Sequence, residues 1–397
     1  MTGWISDTFG RKFSMIGAHF AMCLVMLAEG FVTTEYGYII CRFFQGMLGM
    51  AAYIPAFVYC VEIVSTKYRA FAGFFFHTYY TFGQMTLGLM GYFVRDWRNL
   101  TKSVSLWFLP FILAFILPET PQYTHKKGRK SETIQTMRKI GKMNGKVSDF
   151  QRISNILDEI PVQEEENVEV SKNVTVLDLF KHGPEMTWMV MKSCYLWLAC
   201  STVYYGIALN TGNLPGSIYS NTVINGCVDF VGHVTFPFLV ESKLFGRKWT
   251  MFIGLGLSCI SCLVVNIAVE FKSCDDVGLS DKIDTAVLIW AYIGKFCIGG
   301  SFATAYQYSA ELFPTPVRNN AVSIGSVVGK IFTTLTPVIM AMGLIATWLP
   351  GIVFAVIAGF GAGLVLVLPE TRGVPPLQTY EQAKNFYKYG HLLEKEG

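Results

Sequence analysis

Ten runs of apolar residues, each close to twenty long, decide what this chain can become. They fall at about 13–32, 37–62, 70–93, 102–118, 188–210, 217–241, 249–269, 285–310, 320–343 and 346–368. A bilayer's hydrocarbon core, about 30 Å thick, is crossed by about 20 helical residues. Inside it every backbone amide must find its partner within the same segment, so runs of this kind are spanning α-helices. Composition agrees. Only 15% of the residues are charged, against about 25% in a soluble domain, because side chains facing lipid cannot carry charge cheaply. The 31 Phe, 19 Tyr and 8 Trp suit helix ends anchored at the two interfaces. The fold class is therefore an all-α polytopic membrane protein, with the lipid bilayer as its first partner.

The runs group as four and then six. Residues 1–118 are expected to form an incomplete N-terminal bundle, 119–186 a cytoplasmic linker, 187–369 a six-helix C-terminal bundle and 370–397 a cytoplasmic tail. Within the linker, SETIQTMRKIGKMNG has the pattern of an amphipathic helix, while DEIPVQEEENVEV is acidic and reads as solvated chain. Orientation follows from Lys and Arg in the short loops. One set of loops carries Arg11, Lys12, Lys67, Arg69, Lys243, Arg247, Lys248, Arg318 and the basic linker; the alternate set carries only Arg95, Arg98, Lys272 and Lys282. The rich set is assigned to the cytoplasm, with both termini. The membrane itself is expected to be the plasma membrane.

Several chemistries lack their motifs. Nine of the ten cysteines lie in apolar runs, where they read as small hydrophobes. Cys274 alone falls in a polar loop. Cys259 and Cys262 match C-x-x-C without a second pair or histidines, so no metal site is expected. There is no G-x-x-x-x-G-K-[ST], G-x-S-x-G or H-E-x-x-H, which argues against a nucleotide cofactor and against an enzyme. No basic stripe with interleaved aromatics points to nucleic acid.

The loop Gly3–Arg11 (GWISDTFGR) combines glycines for close backbone approach with charges that pair across helix ends. A weaker echo, Glu241–Lys248 (ESKLFGRK), stands at the corresponding place in the second half. Paired signals of this kind mark carriers built from duplicated bundles. With Arg42, Gly46 and Gly49, with EIVSTKYR from Glu62 to Arg69, with Asp96-Trp97-Arg98, and with Pro118-Glu119-Thr120-Pro121, the chain resembles the organic cation, organic anion and carnitine transporter family (solute carrier family 22) of the major facilitator superfamily. Tyr204-Tyr205-Gly206, Gly294-Lys295, ELFPTPVRN from Glu311 to Asn319 and Pro369-Glu370-Thr371 carry the same resemblance. It implies a twelve-helix carrier that moves a small organic ion by alternating access. It also implies that this chain starts in the loop after the second helix, without two helices and an outer domain. A non-transporting membrane protein is the rival this raises, and sugar transport is a rival within the superfamily.

Ionisable residues inside spans face a partner or a cavity. The resemblance makes Asp7, Arg11, Glu62, Arg69, Arg247, Glu311 and Arg318 an inner gate; simple solvation of helix ends is the plainer alternative. Lys330 lies three turns beyond Asn319 on an otherwise uncharged helix, too deep to reach an interface easily. It either attracts a substrate carboxylate or pairs internally, with Asp229 as the candidate partner. The resemblance favours the first and hence an anion or carnitine-like zwitterion over a cation. Tyr204, Tyr205, Trp197, Tyr53 and Lys295 are the further candidate substrate contacts, against ordinary helix packing. Asp229 and His233 share a helix face four residues apart and are expected to hydrogen bond.

Overall fold

Every apolar run that the computed structural model describes is helical. The described residues are 2–65, 68–106, 116–145, 178–181, 183–271, 277–374 and 377–393. In order the helices are α1 (Thr2–Phe9), α2 (Arg11–Glu29), α3 (Glu35–Ile63), α4 (Arg69–Phe93), α5 (Trp97–Ser105), α6 (Pro121–Lys126), α7 (Lys130–Met143) and α8 (Asp178–Lys181). Then come α9 (Pro184–Leu209), α10 (Ile218–Glu241), α11 (Gly246–Phe271), α12 (Val277–Leu312), α13 (Arg318–Thr334), α14 (Thr336–Ala341), α15 (Leu349–Leu366) and α16 (Tyr380–Leu393). Among the described residues seven helical stretches are long and apolar enough to cross a membrane: α2, α3, α10, α11, most of α12, the α13–α14 region and α15. Helices α4 and α9, of 25 and 26 residues, are as long but fall short of the others in hydropathy. The run expected at 102–118 falls largely on residues 107–115, outside the described residues.

Local chemistry sets the boundaries. Thr34 caps α3 by accepting from the Gly37 amide at 3.2 Å, Asp96 caps α5 through Asn99 at 3.0 Å, and Thr120 caps α6 through Tyr123 at 3.3 Å. The span expected at 320–343 is interrupted at Leu335, between α13 and α14. Pro337 in the first turn of α14 has no amide hydrogen to continue the ladder. The linker's expected amphipathic helix is present as α7, pinned to α6 by a buried Thr124–Thr133 hydroxyl pair at 2.8 Å.

The chain divides into two compact units, Met1–Phe76 with Met90–Ser171, and His77–Leu89 with Lys172–Gly397. In the first, α2 and α3 pack lengthwise. In the second, α9 is the hub, packing on α12, α13 and α15. The α9–α13 approach is close because glycines face it. A Cβ on Gly325 would lie 2.5 Å from the Trp197 ring, and one on Gly329 would lie 2.6 Å from the Ser201 hydroxyl. Small residues that let helix backbones approach are the usual basis of packing in lipid, where the hydrophobic drive is absent. The C-terminal α16 buries Ala383 and Phe386 against the same unit. Tyr387 donates to the Leu312 carbonyl at 2.7 Å, and burial pushes its phenol well above the ordinary tyrosine range.

Candidate functional site

A buried ion pair centres the second unit. Asp229 on α10 and Lys295 on α12 meet at 3.1 Å (Oδ2 to Nζ), and neither side chain is exposed. Gly299, one turn beyond Lys295, makes room: a Cβ there would press on Asp229 Oδ1 at 2.8 Å. Tyr204 on α9 closes the group. Its hydroxyl donates to Asp229 Oδ2 at 2.9 Å, and Lys295 Nζ lies 3.5 Å from its ring centroid. The lysine thus has a carboxylate and an aromatic face, the two partners that compensate a desolvated ammonium.

Aromatic rings extend outward from this pair. Tyr204 stacks on Phe302 at 5.6 Å and meets Tyr205 edge-on at 5.4 Å. Trp197 meets Tyr306 at 4.4 Å and donates its indole N–H to Ser309 Oγ at 2.9 Å. On α13, Lys330 Nζ donates to the Tyr205 hydroxyl at 3.2 Å and lies 5.0 Å from that ring's centroid. Unlike Lys295, Lys330 is exposed. A chain of contacts therefore runs from an accessible cation, through two tyrosines, to a sealed ion pair.

Five of the sequence candidates, Lys330, Tyr205, Tyr204, Trp197 and Lys295, fall within this network. Tyr53 belongs to the first unit, where it meets Phe76 edge-on at 5.1 Å. Asp229 pairs with Lys295, so the alternative partner considered for Lys330 is taken. His233 does bond to Asp229, but to its backbone carbonyl, at 2.7 Å from Nδ1. The carboxylate is engaged by Lys295 and Tyr204 instead. Phe302, Tyr306 and Ser309 went unread because they sit on the long α12, at helical spacing from Lys295, where periodicity alone cannot separate a lining face from a packed one.

Both units carry the same polar cluster near helix ends that the positive loops assign to the cytoplasm. In the first, Arg11 binds Glu62 at 3.3 Å, Thr120 donates to Glu62 at 2.5 Å, and Tyr59 donates to the Pro118 carbonyl at 2.7 Å. Glu119 accepts from the Lys12 amide at 3.2 Å and from the Thr120 amide at 3.0 Å. In the second, Arg247 binds Glu311 at 3.1 Å, Thr371 donates to Glu311 at 2.5 Å, and Tyr308 donates to the Pro369 carbonyl at 2.7 Å. Glu370 accepts from the amides of Arg247, Lys248 and Thr371 at 2.9–3.0 Å. Gly10 and Gly246 start α2 and α11 with φ of 101° and 65°, each against its glutamate, where a side chain would be strained and crowded. Each glutamate thereby caps a helix start and meets its dipole.

These clusters bring together Arg11 with Glu62 and Arg247 with Glu311. Arg318 instead donates to the Phe313 carbonyl at 3.3 Å. The side chains of Asp7 and Arg69 lie outside the described residues. Glu119, Glu370, Tyr59 and Tyr308 were missed; the recurrence of Pro-Glu-Thr after each half was the signal for the glutamates. Glu29 was missed too. It is fully buried at the end of α2, 3.0 Å from Arg42 Nε and bonded to Gln45.

Duplicated clusters at matched positions are what a carrier of two related bundles needs, and the comparisons bear on it directly. The family model described as "Sugar (and other) transporter" matches residues 1–383. The chain belongs to this transporter family. The resemblance to the organic cation, organic anion and carnitine transporters is borne out as well. "Organic cation transporter 1" of Caenorhabditis elegans is 31% identical over 393 residues, covering 97% of this chain and 64% of that protein. "Solute carrier family 22 member 16" of Xenopus laevis is 31% identical over 384 residues, covering 96% and 65%. The chain thus spans a little under two thirds of these relatives' lengths. Among solved structures, an inward open conformation of the xylose transporter XylE from E. coli superposes with a TM-score of 0.70 at 16% identity, covering 97% of this chain and 84% of that one. The fold is that of the major facilitator superfamily. The family is one of membrane transporters and not of enzymes.

Proposed function

We propose that this chain forms the greater part of a carrier that moves small organic ions across the plasma membrane by alternating access, favouring an anion or a carnitine-like zwitterion. The observation that carries the preference is the contrast between the two lysines. Lys295 is neutralised by Asp229 and sealed. Lys330 is exposed, is held by the Tyr205 hydroxyl, and makes no ion pair among the described residues. An accessible ammonium without a carboxylate attracts an anionic group and repels a cationic one. The neighbouring rings of Tyr205 and Tyr306 suit the ammonium end of a zwitterion. Tyr204, Trp197 and Lys295 then support this surface from behind.

The gating role goes with it. Arg11–Glu62 and Arg247–Glu311 hold the cytoplasmic helix ends in one of the two alternating conformations, and the gating role extends in this reading to Asp7, Arg69 and Arg318. Two bundles rocking about a midplane site need such a releasable latch on each half.

A second reading, transport of organic cations, is favoured by the relatives named organic cation transporters. Uptake of a labelled carnitine-like zwitterion, a carboxylate and a quaternary ammonium separates the two, in cells where surface biotinylation also checks the plasma membrane. The first reading expects uptake of the zwitterion or the carboxylate, and loss of it in Lys330→Asp with a gain for the ammonium. Ammonium uptake alone, indifferent to Lys330→Asp, favours the second. Uptake of none by the complete protein leaves a non-transporting role.

A further inference from the structure

Apart from the aromatic network, the second unit has a half-open cavity of about 390 Å³, a size within the ~300–1,000 Å³ of small-molecule sites. Gly206, Cys262, Ala291 and Phe354 form a buried floor. The cavity touches α11 at Val265, Asn266 and Val269, at the opposite end from Arg247, so it lies toward the other membrane face from the charge cluster. None of Tyr204, Tyr205, Lys295 or Lys330 lines it.

Among the described residues its lining contains no Asp, Glu, Lys, Arg or His. An anionic ligand would enter without a counter-charge, which is costly against apolar walls, and Glu270, which accepts from the lining Thr347 at 3.3 Å, would repel it. The polarity that is present is three amides, Asn210, Asn213 and Asn266, and two hydroxyls, Ser261 and Thr347, which donate to the Trp290 carbonyl and to Glu270. Asn213 donates to Asn210 Oδ1 at 3.0 Å, and Asn266 donates to the Trp348 carbonyl at 2.6 Å. An amide side chain has two N–H donors and a carbonyl acceptor. These bonds leave the Asn213 and Asn266 carbonyls and the Asn210 amino group with capacity for a ligand. An apolar floor below uncharged amides and hydroxyls matches a molecule with an apolar body and one neutral head.

We propose that this cavity binds a single neutral amphipath with a hydroxyl head, a sterol or a monoacylglycerol drawn from the surrounding lipid, at a site separate from that of the transported ion. The cavity reaches Gly206, adjacent to Tyr205, and Met340 and Gly343 beyond the break after α13, the helix that carries Lys330. An occupant is thus placed to stiffen both elements that hold the Lys330–Tyr205 contact.

The test uses the full chain in phospholipid nanodiscs with three diazirine-bearing photoprobes: a sterol, a monoacylglycerol and an ionised fatty acid. After irradiation, labelled positions are mapped by peptide mass spectrometry. The expected result is label from a neutral probe on the Cys262–Val269 segment, displaced by an excess of the same unlabelled lipid. Val265→Trp, which fills the cavity, should reduce that label about tenfold, since the added ring takes the ligand's volume. Asn213→Ala, at an exposed position on the rim, should reduce it about threefold through a lost hydrogen bond. Either neutral probe labelling in this way supports the proposal and names the lipid. Label spread along all lipid-facing helices and unmoved by both variants overturns it. So does equal labelling of this segment by the ionised fatty acid.

Discussion

Asp229 and Lys295 form a 3.1 Å ion pair in which neither side chain is exposed, and Tyr204 touches both partners. A pair of this kind adds little net stability, because desolvation offsets attraction, yet removing one partner strands a buried charge. Asp229→Asn should therefore cost about 3–5 kcal/mol, read as a fall in the thermal midpoint of the purified protein. Asp229→Asn combined with Lys295→Met should recover most of that loss. Additive losses in the double variant would show that the two groups are not coupled.

The Glu311 carboxylate holds Arg247, Thr371 and Gln307 together. Glu311→Gln keeps the shape and removes the charge, weakening charge-assisted bonds worth about 1.5–3 kcal/mol each. The equilibrium between the two conformations should shift, changing several-fold the rate at which a membrane-impermeant thiol reagent modifies the exposed Cys227. An unchanged rate would sink the latch role. Glu62→Gln is expected to behave in the same direction, since its cluster repeats that of Glu311.

The α9–α13 contact depends on absent side chains. Gly329→Val would place a Cβ 2.6 Å from Ser201 Oγ and 3.0 Å from the Trp197 carbonyl. Overpacking of this kind costs about 1–3 kcal/mol, so the thermal midpoint should fall. Gly256→Ala is the control, because a Cβ there meets nothing within 4 Å. It should leave stability unchanged or raise it by up to about 1 kcal/mol through helix propensity.

Trp197 is almost fully buried, with its N–H on Ser309. Trp197→Phe keeps most of the apolar volume and leaves Ser309 without that donor, a loss of about 1 kcal/mol. Ser309→Ala should give a similar loss, and the double variant should lose scarcely more than either single one. Full additivity would place the effect in packing rather than in the hydrogen bond.

The sequence by itself determined the helices and their environment. Twenty apolar residues in a row admit one solution in lipid, so positions such as Gly246–Phe271 were legible without a fold, and so was the repeated glycine-and-charge motif around Arg11 and Arg247. The segment read as a loop before Arg11, however, is helix α1 up to Phe9 and turns only at Gly10. It also determined which charges were out of place, Lys330, Lys295 and Asp229 among them, because an ionisable residue in an apolar run is conspicuous. Tertiary structure decided the partners. Asp229 could have served Lys330, Lys295 or His233, and helix spacing ranks none of these. Only the packing of α10 on α12, with Gly299 opening the space, assigns it to Lys295. Glu62 and Glu311 likewise had nearby arginines in sequence, yet their partners stand 51 and 64 residues away. Periodicity reports which face of a helix is apolar. Which neighbour that face meets depends on how whole helices pack.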